Sequence, residues 1–383
     1  MLTDEEKARI LESDFSKLGL SMEILREVAK EGYLTPTPIQ SAVIPHVLQG
    51  KDVLACAQTG TGKTAAFALP LLDLLSKAPS TGAIRALILT PTRELAAQIG
   101  ERIEAYGRGT SIRHAVIYGG VSQMKQENEL RRGIDILVAT PGRLLDLMQQ
   151  RKLRLDQVER YVLDEADRML DMGFVRDVQR ITAALPKKRH TLFFSATFPS
   201  AITQLANSML DNPVRVEIEP NVTTAERVQH SVIFVTREGK RDLLKNLLAD
   251  PKVERAIVFS RTKHGANRIA ENLERAGIGA LAIHGNKSHG ARERALSQFR
   301  NGTTRVLVAT DLAARGIDVD GISHVVNFDL PETAETYVHR IGRTGRAGAS
   351  GIALSFCAKE EKSMLVDIER FIRARIPVAT IPS

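Results

Sequence analysis

DVLACAQTGTGKTAAFALPLLDLL, residues 52–75, is the stretch whose reading decides the fold. It opens on a short apolar run, DVLACA (52–57), of strand length, and closes on AAFALPLLDLL (65–75), of helix length. Between them Gly60 and Gly62 allow the backbone to turn its N–H groups inward, and the helix start adds a favourable dipole for an anion. Strand, glycine loop and helix in that order make a phosphate cradle. Ala57, Gln58, Thr59 and Thr61 complete the loop, Lys63 reaches β and γ phosphate oxygens, and the Thr64 hydroxyl is placed to ligate Mg²⁺. The strict pattern begins with Gly where this chain has Ala57, a side chain small enough to fit. A plain glycine turn with a chance lysine is the bland alternative.

Working outward, apolar runs recur at 85–90, 115–119, 135–140, 161–166 and 191–197, separated by amphipathic segments. A second series follows at 231–235, 256–260, 280–285, 305–311, 324–329 and 352–357. Near-continuous apolar strands alternating with helices predict parallel sheets buried on both faces, hence two α/β domains in series. The stretch VRVEIEPNVTTAERVQ (214–229) lacks helical periodicity and carries a proline and polar turn formers. It divides the chain into a first domain at 1–216, a linker at 217–227 and a second domain at 228–383. Only the first domain holds a GK[ST] loop, so two similar domains share one triphosphate site.

At 383 residues, two or three domains are expected. With 43% hydrophobic and 26% charged residues the balance is that of a folded globular chain rather than a disordered one. The net charge of +8, with no basic tail, suggests a polyanionic partner. Two cysteines, Cys56 and Cys357, both in apolar runs, argue against a disulfide framework or a zinc site. The charged N-terminus MLTDEEKARI lacks a signal-peptide core, and no apolar window is long enough to span a bilayer. These features point to a cytoplasmic protein with no membrane partner.

VLDEAD (162–167) lies at the carboxyl end of a predicted strand, where open parallel sheets bind ligands. Asp164 is placed to hold Mg²⁺, and Glu165 to take a proton from an attacking water. Adjacent carboxylates also serve as helix N-caps; the phosphate loop upstream favours catalysis. HRIGRTGRAG (339–348) repeats Arg340, Arg343 and Arg346 with no acid in the run, so its target is a phosphate, a nucleic-acid backbone or only water.

With D-E-A-D at 164–167, AQTGTGKT before it and SAT (195–197) after it, the whole chain resembles the DEAD-box RNA helicases. Phe15 with GYLTPTPIQ (32–40), PTREL (91–95), a glycine pair at 119–120, TPGR (140–143), VFSRT (258–262), ATDLAARGID (309–318) and the arginine run match in order. HGNKSHGARERAL (284–296) looks most similar to the bacterial RhlE-like group. The resemblance implies two tandem RecA-like domains, each a mainly parallel sheet flanked by helices, with ATP and Mg²⁺ as cofactors and RNA as partner. It implies that Gln40 reads the adenine edge and Phe15 packs on the ring; as plain residues they would be a helix-surface glutamine and a core aromatic. It gives Asp167, Ser195, Thr197 and His339 to coupling between hydrolysis and domain closure, and Asp318 to the ribose. Arg343 and Arg346 match the family's arginine fingers. Thr92, Arg93, Gly120, Thr140, Gly142 and Arg143 would line the RNA path in the first domain, and Arg261, Thr262, Thr310 and Asp311 in the second.

Twelve phenylalanines, five tyrosines and no tryptophan leave few bases to be stacked, so contact with the RNA backbone, tolerant of sequence, is expected. The implied activity is an RNA-dependent ATPase that unwinds short duplexes locally. Two other readings stay open: an ATP-gated clamp or annealing scaffold with little net unwinding, and a DNA translocase. His289 stands where the RhlE-like pattern has Gln, which bears on RNA contact in the second domain. The RNA substrate and any ribonucleoprotein or RNA-degradation partners are not legible.

Overall fold

The computed structural model describes residues 13–57, 60–218, 228–314, 319, 321–345 and 351–379. They fall into two compact units, Met1–Pro220 and Asn221–Ser383. In the first, β1 (Val53–Cys56), β2 (Ala86–Leu89), β3 (His114–Ile117), β4 (Ile136–Ala139), β5 (Arg160–Leu163), β6 (His190–Ser195) and β7 (Val214–Glu217) form one sheet. Its order is β3-β4-β2-β5-β6-β1-β7, and every pairing is parallel.

The alternation of side chains fixes two cores, one on each face. On β2, Ala86 and Ile88 join a cluster with Phe67, Leu69 and Phe194. Their neighbours Leu87 and Leu89 join the opposite cluster with Leu144, Met169 and Phe193. Adjacent Phe193 and Phe194 on β6 are both wholly buried on opposite faces. Each such side chain contributes about 1.5–3 kcal/mol of transfer free energy, so near-continuous apolar strands are what the sheet requires.

In the second unit β8 (Val228–Phe234), β9 (Ala256–Phe259), β10 (Ala280–Ile283), β11 (Val306–Ala309), β12 (His324–Asn327) and β13 (Gly351–Cys357) form a parallel sheet in the order β10-β11-β9-β12-β13-β8. Ile257 and Phe259 face one core, Ala256 and Val258 the other. Val232 on the edge strand β8 donates its N–H to Pro377 O at 2.9 Å and accepts from Ala379 N–H at 2.9 Å, so the C-terminal segment covers an otherwise open edge.

Two sequence expectations shift. Most expected strands ran one to three residues too far, because the strands end before the loop residues that carry the chemistry. VRVE (214–217) is a seventh strand on β1, so Glu217 closes a strand rather than opening the linker. The rest of that expected linker, from 219 to 227, lies outside the described residues.

Candidate active site

Parallel strands align their carboxyl ends along one edge, and the strand order segregates the site residues there. Ala57 and Asp164 follow β1 and β5, and Ser195 ends β6, the strand between them. Thr92, Gly120 and Thr140 follow β2, β3 and β4, the other contiguous half. One edge thus carries two adjacent patches.

In the first patch Gly60 and Gly62 sit at φ +83° and +92°, the left-handed region that suits glycine. Gly62 caps the helix Lys63–Ser76. The Ala57 N–H donates to Ser195 O at 3.0 Å, tying the loop to β6. Gln40 closes over it: its Nε2 donates to Gly62 O at 3.2 Å, and its Oε1 accepts from Thr37 N–H at 2.9 Å. Each end of that amide keeps one bonding position for a ligand. Phe15 is 1% exposed and stacks on Tyr33 at 6.5 Å, so its side chain is a core residue here. Gln58 and Thr59 lie outside the described residues.

Lys63 Nζ and Asp164 Oδ1 are both buried without a hydrogen-bond partner among the described residues. Burial pushes the Asp164 carboxyl up to about 6, the Lys63 charge pulling it down and the Glu165 charge adding to the rise. A buried ammonium and a buried carboxylate oxygen left unpaired fit a site built for an anion and a cation. Among the described residues no group of three or more His, Cys, Asp or Glu could hold a metal ion. One carboxylate plus the Thr64 hydroxyl suits Mg²⁺, which keeps waters and shares ligands with phosphates.

Glu165 adopts φ 55° and ψ 53°, a left-handed conformation rare outside glycine, at the N-cap of the helix Ala166–Asp171. Its side chain caps nothing; Oε2 accepts from Arg168 Nη1 at 2.6 Å, and both residues are buried. Asp167 Oδ2 accepts from Ala196 N–H (3.1 Å), Thr197 N–H (3.0 Å) and the Thr197 hydroxyl (3.1 Å). The Ser195 hydroxyl accepts from Asp167 N–H at 3.3 Å and donates to Thr197 O at 2.7 Å. The ends of β5 and β6 are therefore laced together, and the expected coupling residues Asp167, Ser195 and Thr197 lie within one network.

In the second patch Thr92 caps the helix Arg93–Gly107 through Leu95 N–H, and Thr140 begins the helix Pro141–Gln149. The Arg93 guanidinium lies against Gly119 and Gly120; at Gly120 (φ +81°) an added Cβ would collide with it. Gly142 has open space around it. Arg143 is turned inward, donating to Gln126 Oε1 (3.0 Å) and Val121 O (3.4 Å), while Gln126 holds Tyr118 O at 3.0 Å. Arg143 thus braces the glycine-pair loop.

In the second unit Thr262 caps the helix Lys263–Arg275. Arg261 donates its N–H to Asp329 Oδ2 at 2.9 Å and its guanidinium to Glu361 Oε1 at 3.1 Å. Thr310 N–H donates to Ile283 O at 3.3 Å, tying the end of β11 to β10, and Ser260 N–H donates to Ala309 O at 2.9 Å, tying β11 to the end of β9. The arginine run divides. Arg340, 2% exposed, grips both oxygens of Asp311 (2.6 and 2.8 Å), donates to Asn327 Oδ1 and Asp329 O, and lies 4.9 Å over the Phe259 ring. Its anion is a protein carboxylate, and Asp311 is an ion-pair partner before it is an RNA contact. Arg343 is buried and donates to the His339 carbonyl at 3.2 Å. Arg346 and Asp318 lie outside the described residues. Reasoning from sequence missed Arg168, Gln126, Asp329 and Glu361. Only Arg168, one helical turn from Glu165, left a spacing that could have exposed it.

Fold and edge together define a tandem α/β protein of the RecA-like architecture, with a second patch of expected site residues beside the phosphate loop. The sequence matches the DEAD/DEAH box helicase family over residues 37–205 and the helicase conserved C-terminal domain over 239–348. It is 43% identical to a Bacillus cereus DEAD-box ATP-dependent RNA helicase CshA, across 96% of this chain and 70% of that one. It is 45% identical to the RNA helicase CrhR of Synechocystis, across 97% and 75%. The solved structure of S. cerevisiae Dbp5 bound to RNA and ADP BeF3 superposes with a TM-score of 0.84 at 33% identity, covering 96% of both chains. The chain belongs to the DEAD-box ATP-dependent RNA helicase family. CshA and CrhR relatives do not carry the narrower RhlE-like placement expected from residues 284–296.

Proposed function

We propose that this chain is an RNA-stimulated ATPase that opens short RNA duplexes locally, by ATP-driven closure of its two units on the RNA backbone. The observation that carries this reading is the pair of buried, unpartnered groups behind the glycine loop, Lys63 Nζ and Asp164 Oδ1. Lys63 neutralises the β and γ phosphates, and the loop N–H groups bind their oxygens. Mg²⁺, held by Thr64 and Asp164, would supply charge neutralisation on the phosphate chain. Glu165, aimed by its backbone and by Arg168, takes the proton of the attacking water. Arg343 and Arg346 come from the second unit to the γ-phosphate, a contribution of about 10³–10⁵ in rate in comparable enzymes. The Asp167–Ser195–Thr197 network senses that chemistry and passes it, with His339, to closure. Thr92, Arg93, Gly120, Thr140, Gly142 and Arg143 then hold one stretch of backbone phosphates, and Arg261, Thr262, Thr310 and Asp311 the next. The remainder of the expected linker, 218–227, joins the two.

The test is steady-state ATP hydrolysis with no polynucleotide, with single-stranded RNA and with matched single-stranded DNA. Stimulation by RNA alone is expected, followed by multiple-turnover strand separation on a short duplex. Equal stimulation by DNA sinks the RNA assignment. A single burst of separation with long RNA residence replaces unwinding with clamping.

A further inference from the structure

One cleft of the second unit is lined by none of the residues discussed for nucleotide or RNA. It has a volume of about 300 Å³ and runs between the helices Lys240–Ala249 and Lys263–Arg275. Its floor is Leu244 and Leu273, both almost wholly buried, and Phe328 forms one wall. Arg241, Lys245 and Arg275 stand exposed around it. None of the three has an ion-pair partner among the described residues, and Asp242 is the one acid in the lining. An apolar slot rimmed by unpaired cations is complementary to an acidic chain carrying an apolar anchor.

We infer that this cleft is a docking site for an acidic peptide segment of a partner protein, with one aromatic or aliphatic side chain seated on Leu244 and Leu273. A nucleic-acid strand fits it less well. A strand held by its backbone would leave the apolar floor of Leu244 and Leu273 uncovered, and one held by its bases calls for ring faces free to stack. The cleft's one aromatic, Phe328, is packed edge-on against Phe356 at 6.2 Å and capped by Lys240 Nζ at 5.6 Å. The cleft also draws on Ile269–Ala276, the half of its helix that runs back from the edge where Arg261 and Thr310 lie.

Fluorescence anisotropy on the full chain tests this, using a labelled synthetic peptide of about fifteen residues, Glu-rich with one central Phe. Saturable binding is expected, weakened about tenfold by Lys245→Glu with Arg275→Glu. Because both side chains are exposed, thermal unfolding of the variant should match the wild type. A paired Lys245→Gln, Arg275→Gln variant should fall between. The same peptide with Lys in place of Glu should not bind. Absence of saturable binding, or equal affinity in the charge-reversed variant, overturns the inference. So does a single-stranded RNA oligomer whose own binding falls with these two substitutions while the acidic peptide fails to compete, since that gives the cleft to nucleic acid.

Discussion

Glu165 is the residue on which chemistry and backbone meet. A left-handed non-glycine conformation costs about 1–3 kcal/mol, and here it directs a carboxylate away from the capping role its position suggests. Glu165→Gln keeps shape and backbone while removing the proton acceptor. It should lower kcat by about 10²–10⁴ and leave ATP-dependent RNA affinity within a few-fold; retained turnover would remove Glu165 as the base. Its neighbour Asp164 makes the opposite kind of test. With its carboxyl pushed up to about 6, the fold prefers it neutral, so stability is lost as pH rises from the ordinary carboxylate range through about 6. Without nucleotide at pH 7.5, Asp164→Asn should therefore be more stable than wild type, on the order of 1–3 kcal/mol. At pH 5 that gap should narrow, because the native carboxyl is then largely protonated. Thermal melts at the two pH values decide it; a destabilised variant at pH 7.5 would mean that the carboxylate is compensated in the free protein.

At the scale of elements, Arg340 shows how far a helix can be bound by one side chain. It rises from the helix Ala334–Ile341 and reaches the ends of β9, β11 and β12 through Phe259, Asp311, Asn327 and Asp329. Replacing it with Met leaves the apolar contact but strands its acceptors, at a cost of about 3 kcal/mol, somewhat less because Asp311 is partly exposed. Urea unfolding of Arg340→Met should show that loss, and a midpoint equal to the wild type would mean that this network does not hold the helix. The elements themselves were largely legible, since strands buried on both faces leave continuous apolar runs and a glycine loop has a fixed place between strand and helix. What resisted was partnership between distant positions. Arg340 looked like a cation awaiting an outside anion because Asp311 lies far back in the chain. Glu361 gave no signal at all, although it holds Arg261. VRVE does not read as a strand, and its Glu217 reads as the start of the linker, because one short edge strand carries too little periodicity to distinguish it.

Across the whole molecule five histidines act together. His114 and His190 in the first unit, and His230, His284 and His324 in the second, are all held below the ordinary imidazole value, with burial as the largest cause in each. Carboxylates oppose the effect at three of them: Glu104 beside His114, Asp52 beside His190, and Asp250 with Glu254 near His324. None reverses it. A lowered imidazole stays neutral in the folded chain while the unfolded chain takes up its proton near about 6.5. Stability is then fully present above that pH and falls as pH drops below it. Asp164 pulls the other way over part of the same window, but it is one group against five, and its effect is confined to the first unit. The urea midpoint should therefore fall between pH 7.5 and 5.5. If the two units unfold in separate transitions, both should move, the second more cleanly because among its described residues no carboxyl like Asp164 offsets its three histidines. Equilibrium unfolding followed at both pH values checks this. A midpoint that holds or rises on acidification would show that these imidazoles gain their protons in the native state, and that their burial does not govern stability.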